Sequence, residues 1–265
     1  SNSTDYSGVA ALYTVEGTLF MGMTLNEAGE PQEVILVSNV YEKSSPKIAE
    51  LPDGSKMIAW INYDTERGED NAEVVNYIYF DGENWNDVSV LDETLTADID
   101  MDLRVLNDRF AIVCTEVKEE LATGATISER LLKSDVAFFV FDPSTNVFSK
   151  TILTDNLYND RQVLFDYENG NGIAVLYRSE NENITDDMTI NDFLCGEDAN
   201  NKLYFSIYDE NTDSWGVFSL FNYELEAIST MALKIVEGIA YIALECDNDD
   251  NFDTTWDREI VLIQY

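Results

Sequence analysis

The chain contains no histidine. That removes the commonest general acid–base group at neutral pH and the commonest metal ligand. Ser-His-Asp and Cys-His catalysis are excluded, as are the usual His-containing zinc and iron sites. Cysteine is scarce: Cys114, Cys195 and Cys246 show no CxxC spacing and no dense framework. At most one disulfide forms, and buried thiols are the plain expectation. Such usage fits the cytosol and an anaerobic bacterial exterior alike. With 4 Pro and 13 Gly, nothing suggests a low-complexity linker. No apolar run approaches the roughly 18 residues that cross a bilayer. The longest, Val136–Phe141, has the length of a strand. No signal peptide is present, and the opening Ser1-Asn2 reads as a protease-cleavage scar, so removal of a native leader is the expectation.

Positive charge is also scarce. Fifteen Lys+Arg stand against 52 Asp+Glu, a net charge of −37. Such a surface repels phosphate backbones and anionic membranes, so no nucleic-acid partner and no membrane insertion are expected. Divalent cations, basic proteins and neutral molecules such as glycans are favoured, and solubility alone also accounts for the charge. What is abundant is core material, at 45% hydrophobic and 12% aromatic residues. The 265 residues allow one large all-β domain or two average ones.

The organising pattern is a repeat. Asn86–Thr115 reads as strand, loop, strand, tight turn, strand, and the pattern returns at Gln32–Ile61, Ser149–Arg178 and Gly216–Glu245. The strand after the tight turn is apolar on consecutive residues, as in Met57-Ile58-Ala59, Ala111-Ile112-Val113, Ala174-Val175-Leu176 and Tyr241-Ile242-Ala243. Consecutive apolar residues belong to strands covered on both faces. The following strands are aromatic-rich, as in Tyr77-Ile78-Tyr79-Phe80. Leu19–Leu36 aligns without a gap to Leu203–Leu220, and a helical turn is expected over Ser128–Lys133.

Repeated four-stranded antiparallel units are the signature of a β-propeller. Three hairpins carry a further resemblance: Tyr79-Phe80-Asp81…Trp85, Val140-Phe141-Asp142…Phe148 and Ile207-Tyr208-Asp209…Trp215. This aromatic–Asp–turn–Trp pattern resembles kelch-type and sialidase-type blades. The paired glycines of kelch repeats, the Ser-x-Asp-x-Gly-x-Thr-Trp box of sialidases and a Trp-Asp ending are missing, so the resemblance implies architecture and not a family activity. The expected fold is a single all-β propeller over 1–265, with five blades and incomplete terminal ones. The first lacks its innermost strand and the last its outermost. The units fall at about 8–44, 45–96, 97–160, 161–227 and 228–265. A β-sandwich is the competing architecture.

Chemistry is expected on the face carrying the innermost-strand starts and the long acidic connectors. There, Asp98, Asp100, Asp102, Asp160 and Arg161 lie near the expected axis, and paired carboxylates across a mouth are what glycoside hydrolysis needs. Catalytic candidates are Asp98, Asp100 and Asp160, and ligand-binding candidates are Asp98, Arg161 and Trp256. Trp256 is the aromatic placed to stack on a sugar, whereas Trp85 and Trp215 sit at equivalent turns and read as packing between blades. The seven arginines follow no repeat position, unlike a carboxylate-binding cluster. The expected role is a non-catalytic binding module of a secreted or cell-surface bacterial protein, taking a glycan or protein ligand. The alternative is a propeller glycoside hydrolase using the axial carboxylates.

One motif suggests a metal. Asp247, Asp249, Asn251 and Asp253 alternate, and converging oxygens of this kind suit Ca²⁺. Phe252 and Arg258 fall where a twelve-residue calcium loop has Gly and its last ligand. Titration calorimetry with Ca²⁺ checks the site: heat in the wild type that Asp249→Ala abolishes is expected, and equal heats from both remove it.

Overall fold

The computed structural model describes residues 11–25, 31–41, 44–131, 134–180, 184–188, 200–222, 227–247 and 258–265. The described strands form five antiparallel sheets in chain order. Blade 1 holds β1 (Ala11–Val15), β2 (Thr18–Leu25) and β3 (Pro31–Ser38). Blade 2 holds β4 (Lys47–Glu50), β5 (Lys56–Tyr63), β6 (Glu73–Phe80) and β7 (Ser89–Val90). Blade 3 holds β8 (Asp98–Leu106), β9 (Arg109–Val117), β10 (Ser134–Asp142) and β11 (Val147–Ile152). Blade 4 holds β12 (Asn159–Glu168), β13 (Asn171–Ser179) and β14 (Asn201–Asp209), with an outer strand split into β15 (Ser214–Trp215) and β16 (Ser219–Leu220). Blade 5 holds β17 (Ala227–Val236), β18 (Ile239–Asp247) and β19 (Arg258–Gln264). A short helix, α1 (Ile127–Leu131), lies in the connector between β9 and β10. The molecule is a five-bladed β-propeller.

The consecutive apolar residues of the second strands resolve into two cores each. In β5, Met57 and Ala59 pack toward blade 3, while Ile58 and Trp60 pack toward blade 1. In β9, Ile112 and Cys114 join the core with blade 2, while Ala111 and Val113 join the core with blade 4. Ile173, Val175 and Tyr177 pack against Ile235, Ile242 and Leu244 of blade 5. Trp85 joins the core between blades 1 and 2, and Trp215 that between blades 3 and 4, so both tryptophans are packing elements. Cys114 and Cys246 are buried thiols. On blade 5, the face turned away from blade 4 leaves Ile260 and Leu262 exposed.

Turn chemistry explains the repeated motifs. Asn107-Asp108, Asn169-Gly170 and Glu237-Gly238 all have positive φ, the conformation that two-residue hairpins require. Gly172 has a different reason: a Cβ there would come within 2.7 Å of Tyr208 Cβ. In the outer hairpins Asp81, Asp142 and Asp209 accept backbone N–H bonds from Glu83, Ser144 and Asn211. Hydrogen bonds in these turns hold all three carboxyls below their ordinary range, led by those from Asn84, Ser144 and Asn211 respectively.

The crossings between blades set the register of the inner strands. Leu91 N donates to Val75 O at 2.8 Å, Leu153 N to Val136 O at 2.8 Å and Phe221 N to Leu203 O at 2.9 Å. Each ties the segment leaving an outer strand to the third strand of its own blade. From these anchors, Leu91–Asp98, Leu153–Asp160 and Phe221–Ile228 run without a gap, sharing Leu95, Leu157 and Leu225. Val40 N makes the same bond to Gly17 O at 2.7 Å, which leads to Lys47. It marks β2 as a third strand and β3 as an outer one. Among the described residues, blade 1 therefore shows no innermost strand and blade 5 no outermost one.

Phe141 is 1% exposed and meets the rings of Tyr77, Tyr79, Phe110 and Phe148 at 6.1, 4.9, 6.4 and 5.1 Å. Phe141→Ala is expected to lower unfolding free energy by about 3–5 kcal/mol through lost burial and a cavity. Urea denaturation checks this, and a loss below about 1 kcal/mol contradicts the packing account.

Candidate functional site

The crossings give four blades an equivalent position at the start of the inner strand, opposite one residue of the second strand. The pairs are Lys47 with Ala59, Asp98 with Glu116, Asp160 with Arg178 and Ile228 with Cys246. This slot lies at the mouth face, beside the long connectors. The inner strands β8, β12 and β17 are bulged close to it, between Asp98 and Asp100, Arg161 and Leu164, and Ile228 and Thr230. A bulge re-aims the side chains on either side of it. In blade 3 it turns Asp98 and Asp100 to opposite faces. Asp98 Oδ2 accepts from Val75 N of blade 2 at 2.8 Å, while Asp100 Oδ2 accepts from Gln162 N of blade 4 at 2.9 Å.

Blades 3 and 4 fill the slot with opposite electrostatics. In blade 4, Arg178 Nε donates to Asp160 Oδ1 at 2.5 Å and Nη2 to Oδ2 at 3.3 Å. Asn156 adds a bond at 2.9 Å, and the guanidinium lies over the Tyr204 ring at 4.5 Å. The charge of Asp160 is thus matched. In blade 3 the arginine position is Glu116. One donor atom each from Asp98, Cys114 and Glu116 lies within 4.8 Å of the others. Burial is the main cause that raises Asp98 to about 7; the nearby Glu116 and Asp92 charges add, while the Val75 N–H opposes. Burial raises Glu116 as well, opposed by Lys150. Lys150 Nζ lies 2.8 Å from Glu116 Oε2 and 2.7 Å from Asp92 Oδ2. Burial pushes the Cys114 thiol well up, so it stays protonated. Asp98, Cys114 and Glu116 are close enough to share a cation, yet Lys150 already supplies a positive charge beside Glu116.

A strap folds back beside this pair. The connector after β9 folds back so that Leu121 and Ala125 pack with Ala97, Ile99 and Val117. Asn71 fastens it in both directions, its Nδ2 donating to Leu121 O and its Oδ1 accepting from Leu121 N, both at 2.8 Å. Gly124 N donates to Asp70 at 2.8 Å, and Arg130 pairs with Glu73 at 3.0 Å. The acidic connectors after β5 and β9 are therefore laced together.

The other sequence candidates are dispersed. Asp160 is in the blade 4 ion pair. Arg161 lies over the Tyr177 ring at 4.4 Å and donates to Asn201 at 3.5 Å. Asp102 is buried with Arg104 at 3.0 Å and Lys47 at 3.9 Å. Asp247 is buried at the end of β18, with Arg258 Nε 3.6 Å away. Asp249, Asn251, Asp253 and Trp256 lie outside the described residues. Sequence reasoning missed Glu116, Lys150 and Asp92. The gapless match of Leu91–Asp98 to Leu153–Asp160 was the available signal, because it places Glu116 and Arg178 in one position.

No protein-family model matches the chain, and no curated protein does. Solved structures do. A thermostable family-43 glycoside hydrolase matches with TM-score 0.50 at 6% identity, over 100% of this chain and 92% of that one. A Trypanosoma rangeli sialidase matches with TM-score 0.52 at 11% identity, over 97% of this chain and 40% of that one. An α-L-arabinofuranosidase from Fusarium graminearum, solved with an iminosugar inhibitor, matches with TM-score 0.51 at 10% identity, over 85% and 62%. At these identities the likeness is one of fold. The expectation of a non-catalytic binding module is corrected by this comparison. These neighbours are glycosidases, whereas the three acids named for the alternative reading, Asp98, Asp100 and Asp160, face different partners.

The folded value of about 7 for Asp98 exceeds the ordinary 3.8. The folded chain therefore holds a proton that the unfolded chain has released, and stability from this group falls as pH rises from about 4 to about 7. Asp98→Asn removes that loss. Its Tm advantage over wild type is expected to be larger at pH 7.5 than at pH 5. A difference independent of pH contradicts the raised value.

Proposed function

We propose that this chain is a propeller glycoside hydrolase whose acid–base pair is Asp98 and Glu116. The observation that carries the reading is the contrast between blades: one slot holds an ion pair in blade 4 and two carboxyls in blade 3. A buried like-charge pair is unfavourable for folding and separates the two proton affinities, which is how active sites make one carboxyl an acid and the other a base. Asp98, still protonated close to neutral pH, is the general acid that protonates the glycosidic oxygen as the leaving group departs. Glu116, whose charge Lys150 favours against the burial that raises it, faces the anomeric carbon. A separation within 4.8 Å is on the short side, suited to attack by Glu116 to form a glycosyl ester rather than to a water held between the pair. Asp98, now ionised, then takes a proton from the water that cleaves the ester. Lys150 and Asp92, beside the pair, are both partly exposed to solvent. The glycosidase neighbours that share the fold support a glycan substrate.

Assays on arabinan and on chromogenic arabinofuranosides, galactosides and sialosides test this. Turnover is expected in the wild type, with kcat reduced about 10²–10⁴-fold in both Asp98→Asn and Glu116→Gln. Full activity in either variant, or no turnover by the wild type on any glycoside, overturns the assignment.

A further inference from the structure

We infer that the mouth face is built for a neutral glycan and excludes uronic and sialic acids; this rests on the hydrolase reading above. Recognition of a sugar carboxylate needs a cation with donors to spare. The chain has few cations, and among the described residues those at the mouth are engaged with this protein's own groups, Lys47 with Asp102 at 3.9 Å. Lys150 bridges Asp92 and Glu116. Lys118 bridges Asp135 at 2.8 Å and Asp155 at 2.9 Å. Arg178 makes its two-point contact with Asp160 and covers Tyr204. Lys202 is held by Glu180, which also accepts from the Tyr204 hydroxyl. Arg258 lies between Glu245 and Asp247. Arg161 stacks on Tyr177, and its charge acts on Asp100.

Around these pairs the connectors are acidic, and the whole chain carries −37. An anionic sugar would have to displace a carboxylate from one of these cations and approach against a negative field. A neutral pentose or hexose chain meets neither barrier. Its hydroxyls can bond to the outward lone pairs of the paired carboxylates without breaking an ion pair. Charge accounting at the mouth thus favours the arabinofuranosidase over the sialidase among the neighbouring folds as a guide to the sugar.

The test compares wild type with Glu180→Gln, which releases Lys202 from its carboxylate. Each is titrated calorimetrically, at low and at physiological salt, with a neutral arabino-oligosaccharide, an oligogalacturonate and 3′-sialyllactose. The same sugars are assayed for reducing-end release. The wild type is expected to bind and cut only the neutral sugar, with an affinity unchanged by salt. Glu180→Gln is expected to raise the ratio of oligogalacturonate to neutral affinity by about threefold or more at low salt, with the gain fading at physiological salt. Wild-type preference for either acidic sugar overturns this inference and leaves the hydrolase reading standing. An unchanged ratio in Glu180→Gln also overturns it, because Lys202 is then not what withholds charge from the ligand. Absence of both binding and cleavage with all three sugars overturns the hydrolase reading and this inference with it.

Discussion

A sheet with two apolar faces cannot leave either of them in water, and everything else in this molecule follows from that. Met57 through Trp60 are all fully buried because alternate residues enter different cores. The sheets therefore stack face to face, with little room inside them for polar chemistry. Strand ends are where polar groups are tolerated, and the crossings decide which groups arrive there. One backbone bond, repeated at Leu91, Leu153 and Phe221, puts the same chain position at the mouth of successive blades. The scaffold repeats so that single residues in the slot can differ.

That difference is chemical. Asp160 has Arg178 as its partner, and the pair sits where buried charges belong, matched and hydrogen-bonded. Asp98 has Glu116 in the same place. No packing need calls for two acids there, since an arginine fits the equivalent position one blade on. The connector from Lys118 to Leu131 lies next to this arrangement. Leu121 packs on Ala97 and Val117, the chain neighbours of the pair, and Asn71 fixes Leu121. Residues held against their electrostatic preference are the usual mark of a site shaped for reaction. The expected binding module was corrected by the glycosidase neighbours.

Much of the scaffold was legible in the sequence. The consecutive apolar strands, the Asp81, Asp142 and Asp209 turns and the packing roles of Trp85 and Trp215 all follow from local patterns, and local patterns are what a repeat multiplies. The site was legible only in part. Asp98 was recognised as an acid near the axis, but its pairing depends on a bulge at Ile99 that no local signal announces. Without the bulge, Asp98 and Asp100 look like neighbours on alternate positions of one strand. With it, they serve different interfaces, and Glu116 becomes the true neighbour. The neutralisation of Asp160 by Arg178 was invisible for the same reason, since pairing across strands depends on register. Aligning the crossings rather than the strands would have exposed both.

The most direct measurement is the titration of the Asp98 carboxyl by carbon-13 NMR in the wild type and in Glu116→Gln. A midpoint of about 7 in the wild type is expected, falling when the neighbouring charge is removed. An Asp98 that titrates at an ordinary carboxyl value of about 4 in both proteins would show that blade 3 holds no acid–base pair.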